Sequence, residues 1–415
     1  MIMTDKRVLK KGSIFIFLFL AFHLANGQSL QDYLKIAEKN NPEIQKFELQ
    51  YKIVSEKINE VQTLPNTEFG VGVFVSEPET RTGAQRFKLS AKQMIPWFGS
   101  ITARENYVSS LADAKYEDVV IAKRKLMASV SQSYYNLYAI QRKQEVLKEN
   151  IKLLKTYEIV ALSAVEVGKV SAVTVLKLQM RQNELEQLRQ VLEQQYLAEK
   201  TAFNKLLNMD KNAVVTVVTI LSIPLESALI HSANLVLHPE LTKYDKLYQS
   251  VAQSELLNQK ESNPMLGFGF DYIAVSKRPD MSFGDNGKDI VMPMLSISIP
   301  VFNKKYTSKS KQNKLKQQEI TFEKQERLNR LEVVLDRAIK NRISARIKYN
   351  TQAKNIQQAK AAEQLLIGSY ETETIDFNDV LDIQELQLKF QMNQIESLKT
   401  YYKQTTIINY LSNKV

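Results

Sequence analysis

Hydrophobic and polar positions alternate along two stretches of the chain and recur at helical spacing almost everywhere else. In residues 68–77, Phe69, Val71, Val73 and Val75 fall on one side of a strand, and Gly70, Gly72, Phe74 and Ser76 on the other. After a short polar loop, residues 85–95 resume the period of two: Phe87, Leu89 and Ala91 alternate with Lys88, Ser90 and Lys92. Pro96 ends this strand, because it has no N–H for a ladder. The figure returns in the second half. Leu266, Phe268, Phe270 and Tyr272 alternate with Gly267, Gly269 and Asp271. A longer polar loop, 276–288, then leads to Leu295, Ile297 and Ile299, alternating with Ser296 and Ser298 up to Pro300. The pattern predicts two hairpins, 67–96 and 265–301, each running through a proline into a helix.

The helical stretches are long. Residues 28–64 place Leu30, Leu34 and Ala37 on one face and Ile44, Phe47 and Tyr51 further along, with Pro42 opening a second segment. From 101 to about 167 nothing breaks the pattern; roughly 65 residues would run ~100 Å, too far for a globular core. Ile140, Leu147, Ile151 and Leu154, and after Gly168 the residues Leu178, Leu185, Leu188, Leu192, Tyr196, Phe203 and Leu206, follow a heptad-like rule. They predict an antiparallel coiled-coil hairpin over 99–208. The second hairpin, 303–412, is poorer in leucine along 338–362, and its return helix recovers the seam with Leu381, Leu388, Ile395, Leu398 and Tyr402. Between the halves, residues 209–224 form a linker. Its valines 214, 215, 217 and 218 predict a short strand, which with 401–415 would form a collar around the helices.

The two halves echo one another. Asn41-Pro42-Glu43 matches His238-Pro239-Glu240, Pro65 matches Pro264, Pro96 matches Pro300 and Gly168 matches Gly368, each pair about 200 residues apart. The repeats therefore occupy 28–208 and 225–415, each ordered helix, β-hairpin, long helical hairpin. This order, with the passages QMIPWFG and SIPVF and with Asn378-Asp379-Val380-Leu381-Asp382, resembles the TolC-like outer-membrane efflux factors over nearly the whole chain. The resemblance implies a mainly α fold in which coiled-coil hairpins build a periplasmic α-barrel. It further implies a homotrimer in which each protomer adds four strands to a shared 12-stranded transmembrane β-barrel. It also implies an outer-membrane channel of a Gram-negative bacterium, conducting passively from a periplasmic adaptor and an inner-membrane pump, and no enzyme activity.

Composition narrows the alternatives. Residues 1–27 carry a basic start (Lys6, Arg7, Lys10, Lys11), an apolar core over 14–24 and small residues before Gln28, the pattern of a secretory signal. The 415 residues contain no cysteine, which excludes disulfides, thiol chemistry and a lipidated N-terminal cysteine. The histidines His23, His231 and His238 lack the neighbours an active site needs, and no motif calls for a cofactor or a metal. Net charge is +11, and +8 once the four basic residues and Asp5 of the leader are set aside. The densest cluster, residues 303–316, holds six lysines, no arginine and one aromatic residue. It serves nucleic-acid readout poorly and suits a solvated helix start or an anionic membrane surface.

Alternation with glycine or polar residues on one face is the pattern of a transmembrane strand, although a soluble sandwich shares its period. On the barrel reading Lys88, Ser90, Lys92, Asp271, Ser296 and Ser298 face the lumen. Phe87, Leu89, Trp97, Phe268, Phe270, Leu295, Ile297 and Phe302 then face lipid or its interface. Four strands cannot close a membrane barrel alone, so closure requires several chains. At the second helical tip, residues 368–382 carry Glu371, Glu373, Asp376, Asp379 and Asp382. Acids at a helix start are favoured by its dipole, which accounts for some of them. Asp379 and Asp382, three apart, share a helix face, and the resemblance sets them at the constricted periplasmic entrance. Thr174 and Lys177 come from the other tip at the same level. The arginine that the family's polar lock uses is replaced by Ile375. The exported substrate is open among metals, drugs and proteins. The compact length, near that of the family's heavy-metal branch, and 11 methionines hint at cations, while gap-filling core methionine explains the latter equally. The other function class is an envelope scaffold or adhesin, which has no use for paired amphipathic hairpins.

Overall fold

The computed structural model describes residues 29–225, 235, 237–371 and 375–412. The expected leader, His231 and Glu373 lie outside the described residues, and Glu371 is described by its backbone alone. The first two helices are opened by the residues that the pattern singles out. Ser29 and Asp32 form a reciprocal capping box at the head of α1 (Leu30–Asn40). Pro42 is the first residue of α2 (Pro42–Val61), where a missing N–H leaves no bond unmade.

Strands β1 (Glu68–Val73), β3 (Gly83–Ile95), β4 (Met265–Val275) and β5 (Ile290–Ser298) form one antiparallel sheet in that order, so β1 and β5 are its edges. The short strand β2 (Glu79–Thr80) pairs with the start of β3 inside the stretch expected to be a plain loop, and β1 stops at Val73 rather than near Glu77. Each strand pair leads into a very long helix. Helix α3 (Ser100–Glu166) and helix α6 (Lys305–Glu371) have 67 residues each. Their return helices α4 (Ala172–Leu206) and α7 (Phe377–Leu411) have 35 each. Helix α5 (Pro239–Glu261) precedes β4 as α2 precedes β1. Ser100 and Lys305, and likewise Ala172 and Phe377, are 205 residues apart.

Two expectations are corrected. Gly168 makes the first tip at φ 74°, but Gly368 lies inside α6, because that helix continues to Glu371 before the tip. The valines around 214–218 form no strand. Tyrosine hydroxyls take the place of a partner strand. Tyr33 Oη accepts from Thr216 N–H at 2.9 Å and donates to Thr216 C=O at 3.3 Å. Tyr134 Oη accepts from Val218 N–H at 2.9 Å, and Tyr138 Oη from Leu221 N–H at 3.0 Å. A β-rich sequence without a neighbouring ladder is thus held extended by side chains.

The described chain forms two compact units. One combines Lys46–Ile121 with Pro239–Asn329 and contains the sheet; the other holds the remaining described residues. In the first, α5 meets α6 through a polar seam: Asn258 donates to Tyr306 C=O at 2.9 Å, and the Glu255 carboxylate accepts from Ser310 (2.6 Å) and Asn313 (2.8 Å). In the second, Leu147, Leu154, Leu178, Leu185, Leu192, Val380 and Leu388 form one apolar seam. His238, just before α5, is buried, with Nε2 3.1 Å from Tyr410 C=O. Among the described residues no helix is long and apolar enough to cross a membrane.

Candidate functional site

Strand register decides which side chains share a face of the sheet. Lys88 lies opposite Gly72 and Ile273, Ser90 opposite Gly70 and Asp271, and Lys92 opposite Glu68 and Gly269; Ser296 and Ser298 lie opposite Gly267 and Met265. The six polar residues singled out from the sequence therefore share one face. Phe87, Leu89, Phe268, Phe270, Leu295 and Ile297 lie on the other, all exposed, Leu295 to 80%. The polar face is less polar than the pattern suggests, since Met94, Met265, Met292 and Met294 occupy it too. Met94 and Met294 fold over Gly267 and Gly269, where a β-carbon would meet them. Asp271 is wholly buried there. Its carboxylate pairs with the Lys88 ammonium, and no other hydrogen-bond donor reaches it among the described residues. At the end of the sheet, Trp97 packs edge-on against exposed Phe98, and Phe302 is fully exposed at φ 54°.

The helical tips form a second candidate site. Ser171 caps α4 and Asp376 caps α7, the latter accepting from Asn378 N–H at 2.8 Å. Asp379 and Asp382 are exposed, one turn apart on α7. Lys177 Nζ donates to Asn378 Oδ1 at 3.1 Å, joining the two tips. Thr174 is buried rather than presented at a surface. Arg181 reaches Glu385 at 3.5 Å and lines, with Asp382, Asn150 and Gln384, a cleft of about 140 Å³.

Above the tips, three residues of α3 spaced by seven cross to the second hairpin. Lys143 pairs with Glu396 at 2.7 Å, Asn150 donates to Gln391 at 3.4 Å, and Tyr157 donates to Glu363 at 3.1 Å. The Gln384 amide donates to Tyr157 Oη at 3.1 Å and also to Glu363. The Tyr157 ring stands edge-on to Phe377 at 5.5 Å. Burial first, and then the Glu363 charge, hold the Tyr157 hydroxyl well above its ordinary value of 10.0. Glu396 goes the other way: burial raises it, but Lys143 and Lys399 pull it down by more.

No protein-family model and no curated protein matches this sequence. Solved structures do match. CusC, whose structures concern folding and transmembrane channel formation, superposes with a TM-score of 0.76 over 93% of this chain and 92% of its own, at 13% identity. The outer membrane protein VceC of Vibrio cholerae gives 0.72 over 92% and 95%, at 14% identity. The outer membrane channel CmeC of Campylobacter jejuni gives 0.72 over 93% and 85%, at 15% identity. The chain has the TolC-like outer-membrane channel fold. So few shared residues over so much of each chain mean that this TolC-like architecture is carried by periodicity and punctuation rather than by particular side chains. The Ile375 side chain offers no hydrogen bond at the tip, and the two hairpins are joined by the rungs at 143, 150 and 157. In the sequence these rungs are masked by the stronger apolar seam of the leucines beside them. The signal was available as polar or aromatic residues repeating every seven beside the apolar seam. Among the described residues no cluster of three or more histidines or acids could hold a metal.

Proposed function

We propose that this chain is the outer-membrane channel of a tripartite efflux system, a passive duct assembled from three copies and docked to a periplasmic adaptor and an inner-membrane pump. The observation that carries the proposal is a four-stranded sheet with two unpaired edges, β1 and β5, and an apolar face left exposed. In hydrocarbon each unpaired backbone group costs several kcal/mol, so a sheet with open edges is tolerated only when other chains complete it. Three copies supply twelve strands, an even number in the range of membrane barrels. An envelope scaffold gives no reason for Phe268, Phe270 and Leu295 to face outward together.

On this reading the polar face lines the lumen, and Asp379 and Asp382 form two carboxylate rings at the narrow entrance. Such rings concentrate cations. The links from α3 and α4 to α7 hold the two hairpins of each protomer together near that entrance. The test is single-channel recording of reconstituted trimers carrying Asp379→Asn and Asp382→Asn. Cation preference and block by multivalent cations should both fall while trimers persist; unchanged selectivity and block in the double variant would remove the rings from the aperture. Lys177→Ala should move selectivity the opposite way. Cross-linking in intact membranes should end at the trimer, and a dominant monomer with intact β-structure in vesicles would refute the assembly.

A further inference from the structure

The start of α6 is charged against its own helix. Its first turn contains no acid, and the first acid after the sheet is Glu319. Before it come Lys304, Lys305, Lys309, Lys311, Lys314 and Lys316, all exposed. Only Lys316 has an ion-pair partner among the described residues, Glu319 at 2.8 Å; Lys305 rests over the Tyr306 ring at 5.6 Å. Positive charge at a helix N-terminus opposes the macrodipole, so these lysines do not serve the helix. Lys260, at the end of α5, adds an exposed ammonium beside Gly99. The inward face of the same stretch, Ser310 and Asn313, is already taken up by α5.

Immediately before the lysines stand Ile299, Val301 and Phe302, exposed to 55%, 64% and 100%. Phe302 holds a left-handed backbone, φ 54°, that side chains rarely adopt, and its ring is fully exposed among the described residues. An aromatic ring at the end of a strand followed at once by unpaired cations is the order of groups met on leaving a bilayer: hydrocarbon, interface, phosphate.

We propose that this patch docks the head groups of anionic phospholipids in the leaflet on the helical side of the barrel. The inference rests on the barrel reading above and adds the lipid chemistry that the barrel selects. Each lysine would meet a phosphodiester oxygen as a point charge, without the bidentate geometry an arginine would impose. Along a helix at ~1.5 Å per residue, Lys304, Lys305 and Lys309 lie within ~10 Å of Phe302, about one screening length at physiological salt, and Lys311 and Lys314 lie beyond it. The effect should therefore be graded along the helix.

The experiment uses the full-length trimer in phosphatidylcholine vesicles with and without phosphatidylglycerol, reading phosphatidylglycerol retention by native mass spectrometry and the temperature at which the trimer is lost. The wild type should retain phosphatidylglycerol over phosphatidylcholine and melt higher when it is present, an advantage that salt removes. A basic residue at an anionic surface contributes about a fivefold preference, so Lys304→Gln/Lys305→Gln/Lys309→Gln should lower retention at least ~10-fold. Lys311→Gln/Lys314→Gln should lower it less than ~3-fold, being screened. Retention equal in the wild type and the proximal variant overturns the inference. So does equal stabilisation by inorganic phosphate or by lipopolysaccharide alone, or a change in pore ion selectivity with lipid retention intact. Those outcomes leave the barrel standing. A wild type that fails to insert even into phosphatidylcholine would remove the barrel reading and this inference together.

Discussion

Tyr157→Phe isolates the cross-hairpin contact with the least collateral change. It deletes one oxygen, which donates to Glu363 at 3.1 Å and accepts from Gln384 at 3.1 Å, and it leaves the ring against Phe377 in place. A hydrogen bond to a charged group is worth about 1.5–3 kcal/mol, but Glu363 is half-exposed and keeps the Gln384 amide, so we expect about 1 kcal/mol. If the hairpins part when the channel opens, that is about a fivefold rise in the ratio of parted to joined tips. The assay is the open-time fraction of reconstituted channels, with Gln384→Leu as the second arm of a double-mutant cycle. Both variants should raise the fraction, and the pair should raise it by less than the sum, because they share Glu363. The pH dependence has a definite sign. A folded-state pKa raised above the ordinary 10.0 gives a contribution fully present below pH 10 and lost only as pH rises through the higher folded value. The wild-type advantage over Tyr157→Phe should thus be flat from pH 7 to 9. An unchanged open fraction in Tyr157→Phe, or an advantage that fades across that range, would refute the reasoning.

Leu295→Arg, on the apolar face, should cost roughly 2–4 kcal/mol of insertion stability and Ser296→Arg far less, read from folding titrations in vesicles; equal costs would place the strands outside a bilayer. The Lys143–Glu396 rung depends on a carboxylate held below its ordinary value, so its contribution is present above about pH 4.5 and lost as pH falls through the lower folded value. Melting differences between the wild type and Glu396→Gln should be constant from pH 7 to 5 and shrink only in stronger acid. Tyr33→Phe removes both bonds to Thr216, and amide exchange at Thr216 should quicken about 10-fold, as a net loss near 1.4 kcal/mol implies, while the helices stay protected. Gly168→Ala should destabilise by about 1 kcal/mol because of φ 74°, whereas Gly368→Ala, inside a helix, should stabilise by about 0.5–1 kcal/mol in thermal denaturation.

The elements that depend on repetition were legible in the sequence. The strands followed from alternation, the hairpins from heptads, and the pairing of the halves from prolines, because each of these signals is summed over many residues. What depended on a single partner was not. Nothing local says that Thr216 and Val218 would be satisfied by tyrosine hydroxyls from residues 33 and 134, so β propensity pointed to a strand that has no neighbour. Gly368 looked like the partner of Gly168, yet a glycine inside an otherwise helical run is tolerated, and the tip came after it. Phe302 gave no sign of its left-handed backbone, since in the first half Gly99 supplies that conformation. At the tips, the spacing of Asp379 and Asp382 sets them on one helix face, but nothing local signals the bond from Lys177 to Asn378, 201 residues away.

The two hairpins are matched in length, residue for residue, though their seams differ in composition. Substitution can therefore go far without disturbing the frame, but length cannot. Removing one heptad from α3 alone would draw the first tip back by ~10 Å, leaving Lys177 far from Asn378 and every rung below the cut opposite the wrong residue. A compensating heptad would have to leave α4, and then α6 and α7 as well. Any lengthening or shortening of the hairpins has to be made in all four helices and in step, whereas a side chain can be exchanged at one position alone.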